Sequence, residues 1–392
     1  MENTPKSKVV LIHCPVYDNE AVFEALQKGI NLLGGLEAFV QKDEKILLKP
    51  NLLRKAAPEQ AVTTHPTVFR AIAKLLREQG YSNLLYGDSP GSVMTPFKVA
   101  QAAGLKPAAD EFNLLEGDFM NGVKIDFPEG KAVKSFSICK GVVDADAIIN
   151  LCKMKTHALV RVTGAVKNTY GCVSGFNKGA GHAKYPDADN FSKMLADLNV
   201  LVKPKLHIMD GIMAMEGNGP GSGDPTPMNV LLISADPVAL DSVFCHLVAL
   251  DPQRVPTNVY AEIYGVGKSH SKDIEVVTED GVITCEEAFA KYGNPKFNVN
   301  RGELKKENPG KKGRKPHIVK EKCIKCGICV DICPVEEKAL SMDKKAGTIP
   351  QYDYDKCIRC YCCQEMCPQK AIEVKTPLMV RLLGTKVKSK RK

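Results

Sequence analysis

The chain has 392 residues, 44% of them hydrophobic and 25% charged, a globular composition long enough for two or three domains. Its longest apolar runs, such as NVLLIS at 229–234 and KILLKPNLL at 45–53, fall far short of the roughly 20 residues a membrane span needs. The net charge of +9 is uneven: residues 301–322 hold nine Lys or Arg against Glu303, Glu307 and Glu321, and 384–392 add five more positives, leaving the remainder near neutral.

The apolar run Val9–Ile12 is too short for a signal-peptide core, so the cytoplasm is the expected address and no membrane contact is expected. From residue 8 onward short apolar runs alternate with helical periodicity. KVVLIHC reads as a strand, and NEAVFEALQKGINLLGG as a helix closed by glycine. KILLKPN is a strand, PTVFRAIAKLLREQG a helix ending at Gly80, SNLLYGDSPG a strand entering a tight turn, and TPFKVAQAAG a short helix. DADAIINLCK reads as a buried strand, DNFSKMLADLNVLVK as a helix, and KLHIMDGI and NVLLISA as strands. Asp236 and Pro237 then open the helix PVALDSVFCHLVAL, Asp as N-cap and Pro in the first turn. Such alternation predicts an α/β fold over residues 1–300, with mainly parallel sheet covered by helices and two subdomains as one option.

Residues 301–315, RGELKKENPGKKGRK, are almost devoid of apolar side chains and read as a basic linker. Residues 377–392 form a basic tail. The blander view of both is solvated chain, and the functional view is a landing surface for an acidic redox partner. Nucleic acid is not expected, because no recognisable nucleic-acid module accompanies the charge.

Between linker and tail, residues 316–376 carry an internal repeat. CIKCGICVDICP at 323–334 matches CIRCYCCQEMCP at 357–368, an offset of 34 residues. Each copy has the spacing C-x2-C-x2-C-x3-C-P, and these spaced positions account for eight of the fifteen cysteines. Three thiolates two residues apart wrap one face of an iron–sulfur cubane, and the fourth, before proline, is aimed at the other cluster. Cys323, Cys326, Cys329 and Cys367 are therefore assigned to one [4Fe–4S] cluster, and Cys357, Cys360, Cys363 and Cys333 to a second. Zinc, the rival, uses four ligands per ion in paired C-x2–4-C arms. Cys362, a ninth cysteine, aligns with Ile328 and reads as a small apolar filler over a cluster. The segment resembles the bacterial two-cluster ferredoxin family, which implies a small α+β module carrying two one-electron centres.

In the larger domain the stretch GNGPGSGD at 217–224 lacks both the G-x-G-x-x-G pattern and a Walker lysine, so it reads as a structural or substrate-closing turn. Polar residues stand at the expected carboxyl ends of strands, where open α/β sheets place ligands. These are Lys49 and Asn51, Asp88, Lys153, Lys155 and His157, Lys167 and Asn168, and Asp210. Two readings stay open: internal ion pairs of Lys49 or Lys155 with Asp88 or Asp210, or an anion pocket with Lys155 and His157 as catalytic groups, His157 giving a proton. His182, in GAGHAKYPD, is a candidate assistant. The segments INLCKMKTH, TGAVKNTYG, MDGIMAMEGNGPGSG and ISADPVALD resemble the family called domain of unknown function three-six-two, often fused to a two-cluster ferredoxin. That resemblance covers nearly all of 8–300 and implies no reaction. A more remote similarity to the lactate racemase superfamily rests on architecture and scattered Lys and His positions, without a residue pattern for that family's nickel cofactor.

The expectation is thus an iron–sulfur oxidoreductase. Single electrons from an acidic ferredoxin- or flavodoxin-type partner pass through two [4Fe–4S] clusters to a small anionic or carbonyl-type substrate, or a cofactor, in the α/β domain. The alternatives are an electron-relay subunit that docks onto a partner, and a racemase-like isomerase with accessory clusters.

Overall fold

A computed structural model describes residues 5–91, 94–302 and 313–375. Residues 303–312 of the expected linker and the whole expected tail 377–392 lie outside the described residues.

The larger domain is built on one mixed, mainly parallel sheet. Its strands are β1 (Ser7–His13), β2 (Ile46–Lys49), β3 (Leu84–Tyr86) and β4 (Leu115–Glu116), with the separate hairpin β5 (Gly122–Asp126) and β6 (Ser135–Cys139) beside it. They continue with β7 (Ala147–His157), β8 (Arg161–Thr163), β9 (Leu206–Glu216), β10 (Asp224–Ser234), β11 (Ile274–Thr278) and β12 (Gly281–Ile283). The order across the sheet is β12-β11-β1-β10-β9-β7-β2-β3-β4, with β8 folded back on the end of β7. β9, β7, β2, β3 and β4 run parallel to one another, whereas β10 is antiparallel to both β1 and β9. The strand runs expected at KLHIMDGI and NVLLISA are thus the two arms of a long hairpin, and GNGPGSGD is its tip.

The period of two along each strand sorts side chains to the two faces. Val10, Ile12, Ile149 and Leu151 join a core covered by α1 (Asn19–Asn31) and α2 (Pro66–Glu78), followed by α3 (Pro96–Ala102) and α4 (Leu105–Glu111). Val9, Leu11, Cys152 and Met154 face the opposite core. The remaining helices of this domain are α5 (Lys140–Val143), α6 (Ala165–Asn168), α7 (Gly175–Lys184), α8 (Ala188–Val202), α9 (Pro237–Leu247), α10 (Pro256–Ile263) and α11 (Cys285–Tyr292). α9 opens as the sequence dictates: Asp236 Oδ1 accepts the Val238 and Ala239 N–H groups, and Pro237 occupies the first turn.

The cysteine-rich module is small. β13 (Lys315–Ile318) pairs antiparallel with β16 (Ile372–Lys375), and β14 (Leu340–Ser341) with β15 (Gln351–Tyr352). Two single-turn helices, α12 (Ile328–Asp331) and α13 (Cys362–Glu365), follow the third-from-last ligands of the two repeats. Among the described residues no helix is long and apolar enough to cross a membrane.

Candidate functional site

Cys323, Cys326, Cys329 and Cys367 ring one cavity of the module, and Cys333, Cys357, Cys360 and Cys363 ring another. These are the two ligand sets expected from the spacing. Among the described residues no three His, Cys, Asp or Glu side chains converge on one point for a single ion, so the thiols are spread around each cavity, an arrangement that suits a cubane held at its corners. The sets differ in exposure. Cys326 is exposed, with exposed Ile324, Lys322 and Lys325 around it, whereas Cys333, Cys360 and Cys363 are buried.

The buried set is turned toward the α/β domain. Gln364 Nε2 donates to the Asn218 carbonyl at 2.6 Å, Ser222 Oγ to the Gln364 carbonyl at 3.2 Å and Lys370 Nζ to the Gly223 carbonyl at 2.6 Å. Asn218 Nδ2 donates in turn to the Ile372 carbonyl at 2.8 Å. The glycine-rich tip is therefore a seat for the module. A Cβ on Gly221 would lie 2.4 Å from the Glu365 carbonyl oxygen, so only glycine admits this approach.

A cavity of about 110 Å³ lies between the two parts. Asn51, Asp88, Lys155, Lys167, Asn168 and Lys178 line it from the sheet side, and Cys362, Glu365 and Met366 from α13. Strand ends position the first group: Asn51 follows β2, Asp88 follows β3, and Lys155 is the ninth residue of β7. This is where a parallel sheet carries ligands.

The electrostatics divide the lysines. Lys49 is fully buried and pairs with Asp88 at 2.9 Å, while Asp88 Oδ2 accepts the Leu52 N–H. Lys153 pairs with Asp210 at 2.7 Å, and Tyr17 hydroxyl donates to the same carboxylate at 2.7 Å. Asp210 is thus committed to an ion pair away from the cavity, and Lys49 lies behind Asp88; the expected internal pairing is realised by Lys49 with Asp88, whereas Asp210 pairs with Lys153 and not with Lys49 or Lys155. Lys155 instead donates to the neutral Asn51 Oδ1 at 2.7 Å and the Val62 carbonyl at 2.8 Å. Burial, then the charge of Lys167, hold its pKa well below the ordinary lysine range. Lys167 has no hydrogen-bond or ion-pair partner among the described residues, and burial lowers its pKa too. Lys178 donates to the Ser89 and Pro90 carbonyls, and burial brings it to about 8. Asn168 is locked by Asn150 and accepts from Asn51 Nδ2 at 2.9 Å.

His157 does not line this cavity. Its Nδ1 accepts the Leu159 and Val160 N–H groups at 3.0 and 3.3 Å, which leaves the proton of the neutral ring on Nε2. Nε2 lies 3.0 Å from Glu365 Oε1, although neither atom completes a hydrogen bond there. Burial, with Lys167 adding repulsion, lowers His157 to about 4. Burial raises Glu365, but His157, Lys167 and His182 outweigh it and hold the carboxyl at about 2. At neutral pH the arrangement is a neutral imidazole against a carboxylate that Lys167 balances.

Sequence reading missed Glu365, Lys178, Tyr170 and the placement of Cys362, all on the cavity wall. His182, proposed as an assistant, does line it: the ring stacks on Phe191 at 4.5 Å, and its buried Nδ1 has no partner. Thr163 Oγ1, also on the wall, is likewise buried and unpartnered.

The sequence model described as "Domain of unknown function (DUF362)" matches residues 46–246, just over half of the chain. The chain belongs to this family. A model of the 4Fe–4S dicluster domain matches residues 322–371, so the DUF362 domain here carries a [4Fe–4S]-binding electron-transfer module at its carboxyl side. A relative, the thylakoid-associated protein sll1697 of Synechocystis, is 36% identical over 261 residues, which cover 66% of this chain and 79% of that protein. Among solved structures, the lactate racemase apoprotein of Thermoanaerobacterium thermosaccharolyticum aligns at 13% identity with a TM-score of 0.39, covering 62% of this chain and 57% of that one. A structural-genomics protein of Thermotoga maritima aligns at 13% identity and a TM-score of 0.35, covering 65% and 60%. The chain thus spans less than two thirds of either structure.

Proposed function

We propose that this protein is an iron–sulfur reductase whose substrate, a small anion or carbonyl compound, binds in the cavity between the DUF362 domain and the cysteine-rich module. The observation that carries the reading is the shared wall: α13, between the ligands Cys360 and Cys367, lines the same cavity as Lys155, Lys167 and Asn168. Two [4Fe–4S] clusters, one per cysteine set, supply single electrons when bound. The exposed set, Cys323, Cys326, Cys329 and Cys367, suits entry from an acidic ferredoxin- or flavodoxin-type donor, because exposed Lys320, Lys322 and Lys325 surround it. The buried set, Cys357, Cys360, Cys363 and Cys333, faces the cavity side.

Two electrons and two protons convert a carbonyl to a hydroxyl. Lys155 is the proton donor of choice: its ammonium touches the cavity, and burial together with the charge of Lys167 makes it release a proton more readily than an ordinary lysine. Lys167 supplies positive charge, and Asn51 and Asn168 orient the guest. Asp88 fixes Lys49, and Asp210 fixes Lys153, behind the wall. His157 acts at one remove, as a positioning residue for Glu365.

Anaerobically purified protein should hold about eight irons and eight acid-labile sulfides per chain. Lys155→Met should slow substrate-dependent reoxidation of the reduced protein by about 10²–10⁴-fold with iron content unchanged. Stoichiometric zinc without charge-transfer absorbance, or full turnover in Lys155→Met, would overturn the reading.

A further inference from the structure

The cavity's charges do not balance, and the imbalance specifies its guest. Lys49 and Asp88 cancel as an ion pair at 2.9 Å, and the second carboxylate oxygen takes the Leu52 N–H. Three ammonium groups remain on the wall. Lys155 and Lys178 bond only to uncharged oxygens, and Lys167 bonds to nothing among the described residues. Glu365 is the single lining carboxylate left to oppose them. The excess among these side chains is two positive charges on a wall that is mostly buried, where an unmatched ammonium costs more than in water.

Donor capacity points the same way. An ammonium has three N–H groups. Lys155 and Lys178 each use two, and Lys167 uses none. The buried Nδ1 of His182 and Oγ1 of Thr163, both on the wall, also lack partners. A neutral carbonyl compound or a monoanion would leave at least one charge unmatched.

We infer that the cavity takes a small dianion, either a short dicarboxylate or a phosphate-like oxyanion, with Lys155, Lys167 and Lys178 as its three cationic contacts. The assignment rests on the reading above that the cavity is a substrate site. The volume of about 110 Å³ admits only a few heavy atoms, far below the roughly 300–1,000 Å³ of pockets for larger ligands. Burial is the leading influence lowering the proton affinity of all three lysines, a desolvation cost that a bound anion would offset.

The test is titration calorimetry on the anaerobic full-length protein with its clusters intact. The probes are malonate and inorganic phosphate, against the monoanions acetate and lactate. At least one dianion should bind tenfold or more tightly than either monoanion; a malonate preference assigns a dicarboxylate, and a phosphate preference an oxyanion. Lys167→Ala should weaken that binding at least tenfold with cluster absorbance unchanged, and Lys167→Arg should keep most of it. Monoanions binding as tightly as dianions, or no binding by any probe, overturns the assignment whatever the variants do. A dianion that binds without perturbing the electron-paramagnetic signal of the reduced protein overturns the reductase reading and leaves the dianion site standing. A neutral or monoanionic acceptor that reoxidises the protein unaffected by malonate and phosphate overturns the dianion assignment alone.

Discussion

Replacing Gly221 by alanine tests whether the glycine-rich hairpin tip sets the distance between the module and the cavity. The added Cβ would lie 2.4 Å from the Glu365 carbonyl oxygen and 3.2 Å from Arg54 Nε, where ordinary contact begins near 3.4 Å. The two backbones must therefore separate by about 1 Å, since the near atom is a main-chain oxygen and no rotamer change removes it. Glu365 stands between the ligands Cys363 and Cys367, so the displacement moves α13 or the tip as a unit. Gly219 and Gly223 are equally tight, but against Thr156 and Glu216 of their own domain, which leaves Gly221 as the interface probe. Overpacking of this kind costs about 1–3 kcal/mol, comparable to losing one or two of the hydrogen bonds that Asn218, Ser222 and Gly223 share with the module. In anaerobic urea unfolding, Gly221→Ala should lose that amount, with iron content unchanged. Reduction of the protein by an external donor should keep its rate, while reoxidation by a cavity-bound acceptor slows. Unchanged stability together with unchanged reoxidation would refute the seat as the device that positions the module.

The salt dependence of reduction follows from the basic segments. With an acidic ferredoxin as donor the rate should fall as ionic strength rises, because the Debye length shrinks from ~10 Å at 0.1 M to ~3 Å at 1 M. Deleting residues 385–392 should flatten the dependence, and a rate indifferent to salt would reduce those lysines to a solubilising role. Acid should destabilise the fold through its buried imidazoles: burial lowers His65 and His182 from the ordinary 6.5 to about 4. The unfolded chain then takes up protons first, so stability is complete above about pH 6.5 and declines as pH falls toward 4. The urea midpoint should be lower at pH 5 than at pH 7, and His182→Gln should make the difference smaller; an equal midpoint at both pH values would refute the buried-neutral assignment.

What the sequence made legible follows from which contacts are local. The cysteine spacing of the two repeats is local, and each set lines one cavity. The buried run DADAIINLCK and its polar continuation are one strand, so Lys153, Lys155 and His157 share a face, as alternation requires. Convergence is not local. His157 leaves the cavity because the tight return into β8 brings the Leu159 and Val160 N–H groups onto its ring, a constraint of the hairpin and not of the strand. Lys178 and His182 escaped notice as a pair because GFNKGAGHAK holds three glycines and reads poorly as a helix, yet forms α7. Glu365 was hidden for another reason. Its role depends on a contact with His157, 208 positions away, across a domain boundary. The glycines of GNGPGSGD signalled close backbone approach, but nothing near them in sequence says that the approaching backbone is α13.

The module's position changes what the lysines of the larger domain can do. Without Cys362, Glu365 and Met366 over them, Lys155 and Lys167 would stand at an open sheet edge in contact with water. Docking removes that water and sets one carboxylate among them, so desolvation becomes the leading influence on both lysines and the lone Glu365 falls short of offsetting it. Their readiness to release a proton is therefore a property of the assembled pair of domains and not of the DUF362 domain alone. Under the proposed function, the part that brings electrons also makes the wall that tunes the proton donor, which would tie electron and proton delivery to one structural condition. The same closure gives Cys362 a purpose beyond filling space. It occupies the wall between Cys363 and the cavity, where a smaller side chain would admit water and a larger one would shrink a space of about 110 Å³.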